Sequence, residues 1–96
     1  MGVNELLKTN REEILRIAAK HGAKNVRIFG SVARGDADEK SDVDFLVKMD
    51  EGSSLMDHAA LLVELEELLG RKIDVAPEDS IRPKMRDRVL KEAIPL

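Results

Sequence analysis

The sequence predicts an α/β (α+β) domain of two layers, helices packed on a small mixed β-sheet. Three short apolar runs, Val26 to Phe29, Phe45 to Val47 and Ile73 to Val75, have the length of strands. Longer stretches with apolar residues three and four apart alternate with them, as helices require, and glycines stop those stretches where C-caps belong. The 96 residues make one domain spanning 1–96, with room for one core but none for a separate substrate lobe.

The elements follow in order. Thr9-Asn10-Arg11-Glu12 has capping-box spacing, and Ile14, Ile17, Ala18 and His21 recur helically until Gly22. This predicts a helix from about Asn10 to His21, extendable back through Leu6 and Leu7, with His21 read as a helix-end residue. The first strand is Asn25 to Phe29, and it feeds a Gly30-Ser31 turn and a brief helix through Arg34. Asp36 to Lys40 reads as a solvated loop, and the second strand is Val43 to Val47. Ser54-Leu55-Met56-Asp57 is a second capping box, opening a helix to about Leu69. Leu61, Leu65, Leu68 and Leu69 form its inner stripe, His58 faces solvent, and Gly70 closes it. Lys72 to Ala76 is the third strand, interrupted by Pro77. Pro83 opens a last helix to about Ala93, with Met85, Val89 and Leu90 inside and Lys84, Arg86, Arg88 and Lys91 outside. That basic side is a solvated face or a surface for an acidic partner.

Composition narrows the function. Without cysteine there are no disulfides, thiolate metal sites or cysteine nucleophiles, as suits a reducing, cytoplasmic setting. No apolar run is long enough for a membrane span, and the N-terminus lacks a signal-peptide pattern. A net charge of −3 repels nucleic acid. The only two aromatics, Phe29 and Phe45, lie in strands, which leaves no obvious platform for stacking bases.

The stretch from Gly30 to Asp44 carries the chemistry. On a strand Asp42 and Asp44 share one face, away from Val43, Phe45 and Val47. Neighbouring carboxylates repel, and a hard divalent cation such as Mg²⁺ between them relieves the repulsion while accepting substrate phosphates. A Gly-Ser turn lets backbone N–H groups approach an anion closely, although any strand can end in one. Phosphate on the turn and metal on the acids make a nucleoside triphosphate the natural ligand. Arg34 follows closely enough to face that triphosphate, or else pairs with Asp36 or another acid and fixes the loop. Asp74, flanked by Ile73 and Val75, is a candidate third acid, or an edge-strand acid facing water.

Gly30-Ser31, ten intervening residues and Asp42-Val43-Asp44 together resemble the signature of the nucleotidyltransferase superfamily that includes DNA polymerase beta. Ala33-Arg34-Gly35, Ser41-Asp42 and the short chain resemble its minimal nucleotidyltransferase branch, which includes the antitoxins of HEPN/MNT toxin-antitoxin pairs. The resemblance implies a polymerase beta-like fold with its site along one edge of the sheet. Asp42 and Asp44 would bridge two Mg²⁺ ions, and Asp74 would bind one of them and accept a proton. Gly30 and Ser31 would hold the phosphates of ATP. It further implies AMP transfer to a tyrosine of a HEPN-family ribonuclease toxin, and assembly into a homo- or hetero-oligomer. The chain has no tyrosine, so the acceptor is on another molecule. Steric inhibition of the toxin by an idle site, or transfer to a small molecule such as an aminoglycoside, are the alternatives.

Overall fold

The computed structural model describes residues 2–38 and 41–96. The order is α1 (Val3–Thr9), α2 (Arg11–Lys20), β1 (Ala23–Phe29), α3 (Ser31–Arg34), β2 (Val43–Met49), α4 (Leu55–Leu69), β3 (Ile73–Pro77), a 3₁₀ turn (Glu78–Ser80), α5 (Pro83–Glu92) and β4 (Ile94–Pro95). The sheet runs β3-β2-β1-β4. Its β2–β3 pair is parallel and its other two pairs are antiparallel, so the sheet is mixed as expected.

Register decides which side chains share a face. Ile28 lies opposite Phe45, which lies beside Val75. These residues join Ile14, Ile17 and Ala18 of α2 and Leu61, Leu65 and Leu69 of α4 in one apolar cluster, with Phe45, Ile14 and Leu61 wholly buried. Burying each such side chain contributes roughly 1.5–3 kcal/mol. Leu68 packs at the margin of that cluster. Helices α1, α2 and α4 therefore cover one face, and the residues paired out of phase with this set point to the other.

The first helix departs from expectation. It is two helices broken at Asn10, whose side-chain amide donates to Leu6 O at 2.8 Å instead of capping α2. Because Asn10 is turned back to close α1, the capping box predicted at Thr9 does not form. Strand β1 starts two residues early and carries a bulge at Asn25, with φ +56°, a left-handed conformation that asparagine tolerates. Pro77 ends β3 in register with Val47 rather than interrupting it, which an edge strand permits. The sequence reading has no counterpart to β4, since two residues carry no periodicity. Ile94 and Pro95 pair with β1 after α5 has returned the chain to it.

Helix α4 forms as the sequence predicts. Ser54 Oγ accepts from Asp57 N–H at 3.2 Å, the Asp57 carboxylate accepts from Ser54 N–H at 3.0 Å, and Gly70 closes the helix at φ +63°. Ser54→Ala is expected to lower stability by about 1 kcal/mol, a fall of about 4–8 °C in Tm by thermal circular dichroism. His58 does not simply face solvent: its Nε2–H donates to Val75 O at 2.9 Å, tying α4 to β3. His21 does close its helix, and its Nε2 meets Glu64 of α4. The loop acids Asp36 and Asp38 are exposed, while Glu39 and Lys40 lie outside the described residues. No helix among the described residues is long and apolar enough to cross a membrane.

Candidate active site

The residues singled out by the sequence gather on the sheet face opposite the helical core, reaching from the edge strand β3 to the third strand in. Phe29 pairs with Asp44 across β1 and β2, and Asp44 pairs with Asp74 across β2 and β3. Directly paired residues share a face, so the three form a row across the sheet. Asp42 lies two positions before Asp44. The site thus occupies a face rather than an edge, with only Asp74 on an edge strand.

Beside this row the chain turns at Gly30, with φ +75° and ψ −151°, a conformation nearly reserved for glycine. A Cβ there would stand 2.2 Å from Asp44 Oδ2, so this glycine also makes room for the carboxylate. Ser31 follows as the first residue of α3, whose Val32 is buried and anchors the turn.

The loop ahead of β2 is held by a residue that the sequence reading passed over. Arg71 Nη2 donates to Asp38 O at 3.0 Å and to Ser41 O at 2.9 Å, tying the approach to Asp42 against the start of β3. Val43 N–H donates to Lys72 O at 3.1 Å, extending the same seam. An arginine just ahead of a strand carries no local signal that it will clamp a loop 30 residues away.

Electrostatically the acids belong together. Asp44 is pushed above the ordinary carboxylate range, first by burial and then by the negative charges of Asp74 and Asp42; Arg34 opposes this and Glu92 adds to it. Asp42 and Asp74 are exposed. Among the described residues no three acidic or histidine side chains surround a common point closely enough to hold a metal ion. The donor set nevertheless fits a hard divalent cation, being three carboxylates of which the middle one lacks sufficient counter-charge.

A cleft of about 400 Å³ opens over these groups. The β1–α3 turn contributes Phe29, Gly30, Ser31 and Arg34, and the start of β2 contributes Ser41, Asp42 and Asp44. Met85, Arg88, Val89 and Glu92 of α5 form the facing wall, and Asp74 flanks Asp44 just outside. The cleft therefore joins Gly30, Ser31, Arg34, Asp42 and Asp44. Arg34 lines the cleft and also pairs with acids, its Nε donating to Asp36 at 3.1 Å and its Nη1 to Glu92.

The sequence placed Met85 inside and Arg88 outside. Met85 is 47% exposed, and both residues line the cleft. The reason is that α5 lies against the site rather than the main core. Positions 85, 88, 89 and 92 form one i, i+3, i+4, i+7 stripe around the buried Val89, a pattern that would have identified Arg88 and Glu92.

Comparison with known proteins agrees with this fold. The family model of the nucleotidyltransferase domain matches residues 11–96. A Methanocaldococcus jannaschii protein assigned as a protein adenylyltransferase is 46% identical over 94 residues, covering 98% of this chain and 97% of the relative. The protein adenylyltransferase MntA of Thermococcus cleftensis is 33% identical over 92 residues, covering 96% and 90%. A solved minimal nucleotidyltransferase superposes with a TM-score of 0.88 at 52% identity, covering 96% of this chain and 94% of the other. A toxin-antitoxin solved with AMP-PNP superposes at 0.76 with 18% identity, covering 90% and 71%, a likeness of fold alone. With its sheet, its Gly-Ser turn and its row of acids in that arrangement, the chain belongs to the nucleotidyltransferase domain family, as a minimal nucleotidyltransferase whose relatives include the MntA-like protein adenylyltransferases.

Proposed function

We propose that this chain is a protein adenylyltransferase that transfers AMP from Mg²⁺-ATP to a hydroxyl of a partner protein, a tyrosine of a HEPN-family toxin, and so acts as its antitoxin. The observation that carries the reading is Asp44. Its carboxylate is set against a glycine turn and its pKa is pushed up by burial and then by two neighbouring acids, an arrangement that costs stability unless a cation is held there. An idle, purely steric module has no use for that cost. The adenylyltransferase relatives support the choice of a protein acceptor over a small molecule.

In this reading the Gly30 N–H and the Ser31 hydroxyl hold the β- and γ-phosphates and orient pyrophosphate as leaving group. Asp42, Asp44 and Asp74 would hold Mg²⁺. When bound, the metal neutralises phosphate charge and lowers the pKa of the attacking hydroxyl. The acceptor oxygen forms its bond to the α-phosphorus as the bond to the bridging oxygen breaks. Asp74, exposed beside Asp44, takes the hydroxyl proton. Arg34 holds the turn in place through Asp36 and Glu92.

The test is transfer of label from α-³²P-ATP to a co-purified partner toxin, followed by mapping of the modified residue. Labelling of a tyrosine, lost in Asp42→Asn, is the expected result. Labelling that persists in Asp42→Asn and Asp44→Asn removes the mechanism. Growth rescue by the unlabelling double variant would favour steric inhibition.

A further inference from the structure

The cleft contains two guanidinium groups, and the fold treats them differently. Arg34 is committed to Asp36 and Glu92. Arg88 is exposed and, among the described residues, makes no ion pair or side-chain hydrogen bond. Its natural helical partner is Glu92, four residues on, but that carboxylate is turned to Arg34 instead. The stripe shared with the buried Val89 directs Arg88 over the cleft rather than away from it.

The neighbouring surface repeats the polarity. A second concavity of about 590 Å³, lined by Arg34, Arg88, Lys91 and Glu92, adjoins the cleft through three shared residues. Asp42 and Asp44 thus line only the first part of a continuous depression and Lys91 only the second, with Arg88 shared between them. A ligand bridging it needs a cation at the acidic end and an unneutralised anion at the basic end. Magnesium-bound nucleoside triphosphate has that polarity, and a planar guanidinium suits bidentate contact with phosphate oxygens.

We propose that Arg88 of the C-terminal helix, not Arg34, is the side chain that grips the terminal phosphates of the nucleotide, so that α5 completes the substrate site. This rests on the nucleotidyl-transfer reading above and adds a nucleotide-binding residue to it. Arg88 then discriminates by phosphate number: it contributes to binding of a triphosphate and nothing to binding of a monophosphate.

The experiment is titration of the full chain, as wild type, Arg88→Ala and Arg88→Lys, with ATP and separately with AMP, in Mg²⁺, by isothermal titration calorimetry. Arg88→Ala is expected to weaken ATP binding roughly ten- to thirtyfold and to leave AMP binding within about twofold, with Tm unchanged. Arg88→Lys, which keeps a point charge without the fork, recovers part of the loss. Equal ATP affinity in wild type and Arg88→Ala overturns the proposal while leaving nucleotidyl transfer standing. Parallel loss of ATP and AMP overturns it as well, since the residue would then act on the whole site. A wild type that binds neither nucleotide overturns both readings.

Discussion

Replacing Asp44 by Asn is expected to abolish nucleotidyl transfer, by about a thousandfold or more, and at the same time to make the metal-free protein more stable at neutral pH. The two effects have one cause. Burial and the charges of Asp74 and Asp42 raise the Asp44 pKa in the folded protein above its ordinary value of 3.8. The folded chain therefore binds that proton more tightly than the unfolded chain does. The resulting stabilisation is complete below the unfolded value and is lost as pH rises through the folded one. Above that range the ionised side chain works against the fold.

Asparagine keeps the shape and removes the charge. Since the group is partly open to solvent, the gain is small, a rise of roughly 2–4 °C in Tm at pH 7 that disappears near pH 3. Mg²⁺ should raise the Tm of the wild type and have little effect on Asp44→Asn, because it relieves the repulsion that the substitution has already removed. Scanning calorimetry at the two pH values, with and without Mg²⁺, checks this. A variant less stable than wild type at pH 7 would show that Asp44 is held by favourable partners and not by a crowd of like charges.

The second large effect is expected at Gly30. An alanine there is strained by φ +75° and brings its Cβ to 2.2 Å from Asp44 Oδ2, so either the turn or the carboxylate must move. The backbone strain alone costs about 1–3 kcal/mol, a fall of roughly 5–15 °C in Tm for a chain of this length. Transfer should fall about a hundredfold or more, because phosphate cradle and metal ligand are displaced together. Asp44→Gly separates the two contributions. In that background Gly30→Ala meets no carboxylate and retains only the strain, so its destabilisation should shrink. An undiminished cost in the double variant would place the whole penalty in the backbone.

What was legible in the sequence was local or periodic. The Ser54 capping box, the glycine ends of α2 and α4 and the strand alternation around Phe45 each depend on residues within a few positions of one another. The Gly30-Ser31 turn and the Asp42/Asp44 pair were legible for the same reason, as was the conflict that an acid between Ile73 and Val75 creates. The break at Asn10 was hidden because two hydrogen-bonding choices were open to one side chain. Capping α2 and closing α1 are both local, and the structure takes the second.

By itself, then, the sequence determined the mixed α/β architecture and the turn, which follow from side-chain period and backbone preference, and marked Asp42, Asp44 and Asp74 as candidates. Tertiary structure decided strand order, the face on which the site lies, the Arg71 clamp on the Asp42 loop and the wall that α5 builds. It also decided that Arg34 pairs with Asp36 and Glu92 while Arg88, over the cleft, has no ion pair among the described residues. Which charge meets which depends on contacts between residues up to 58 positions apart, and nothing in the local sequence encodes the direction from which a distant helix will arrive.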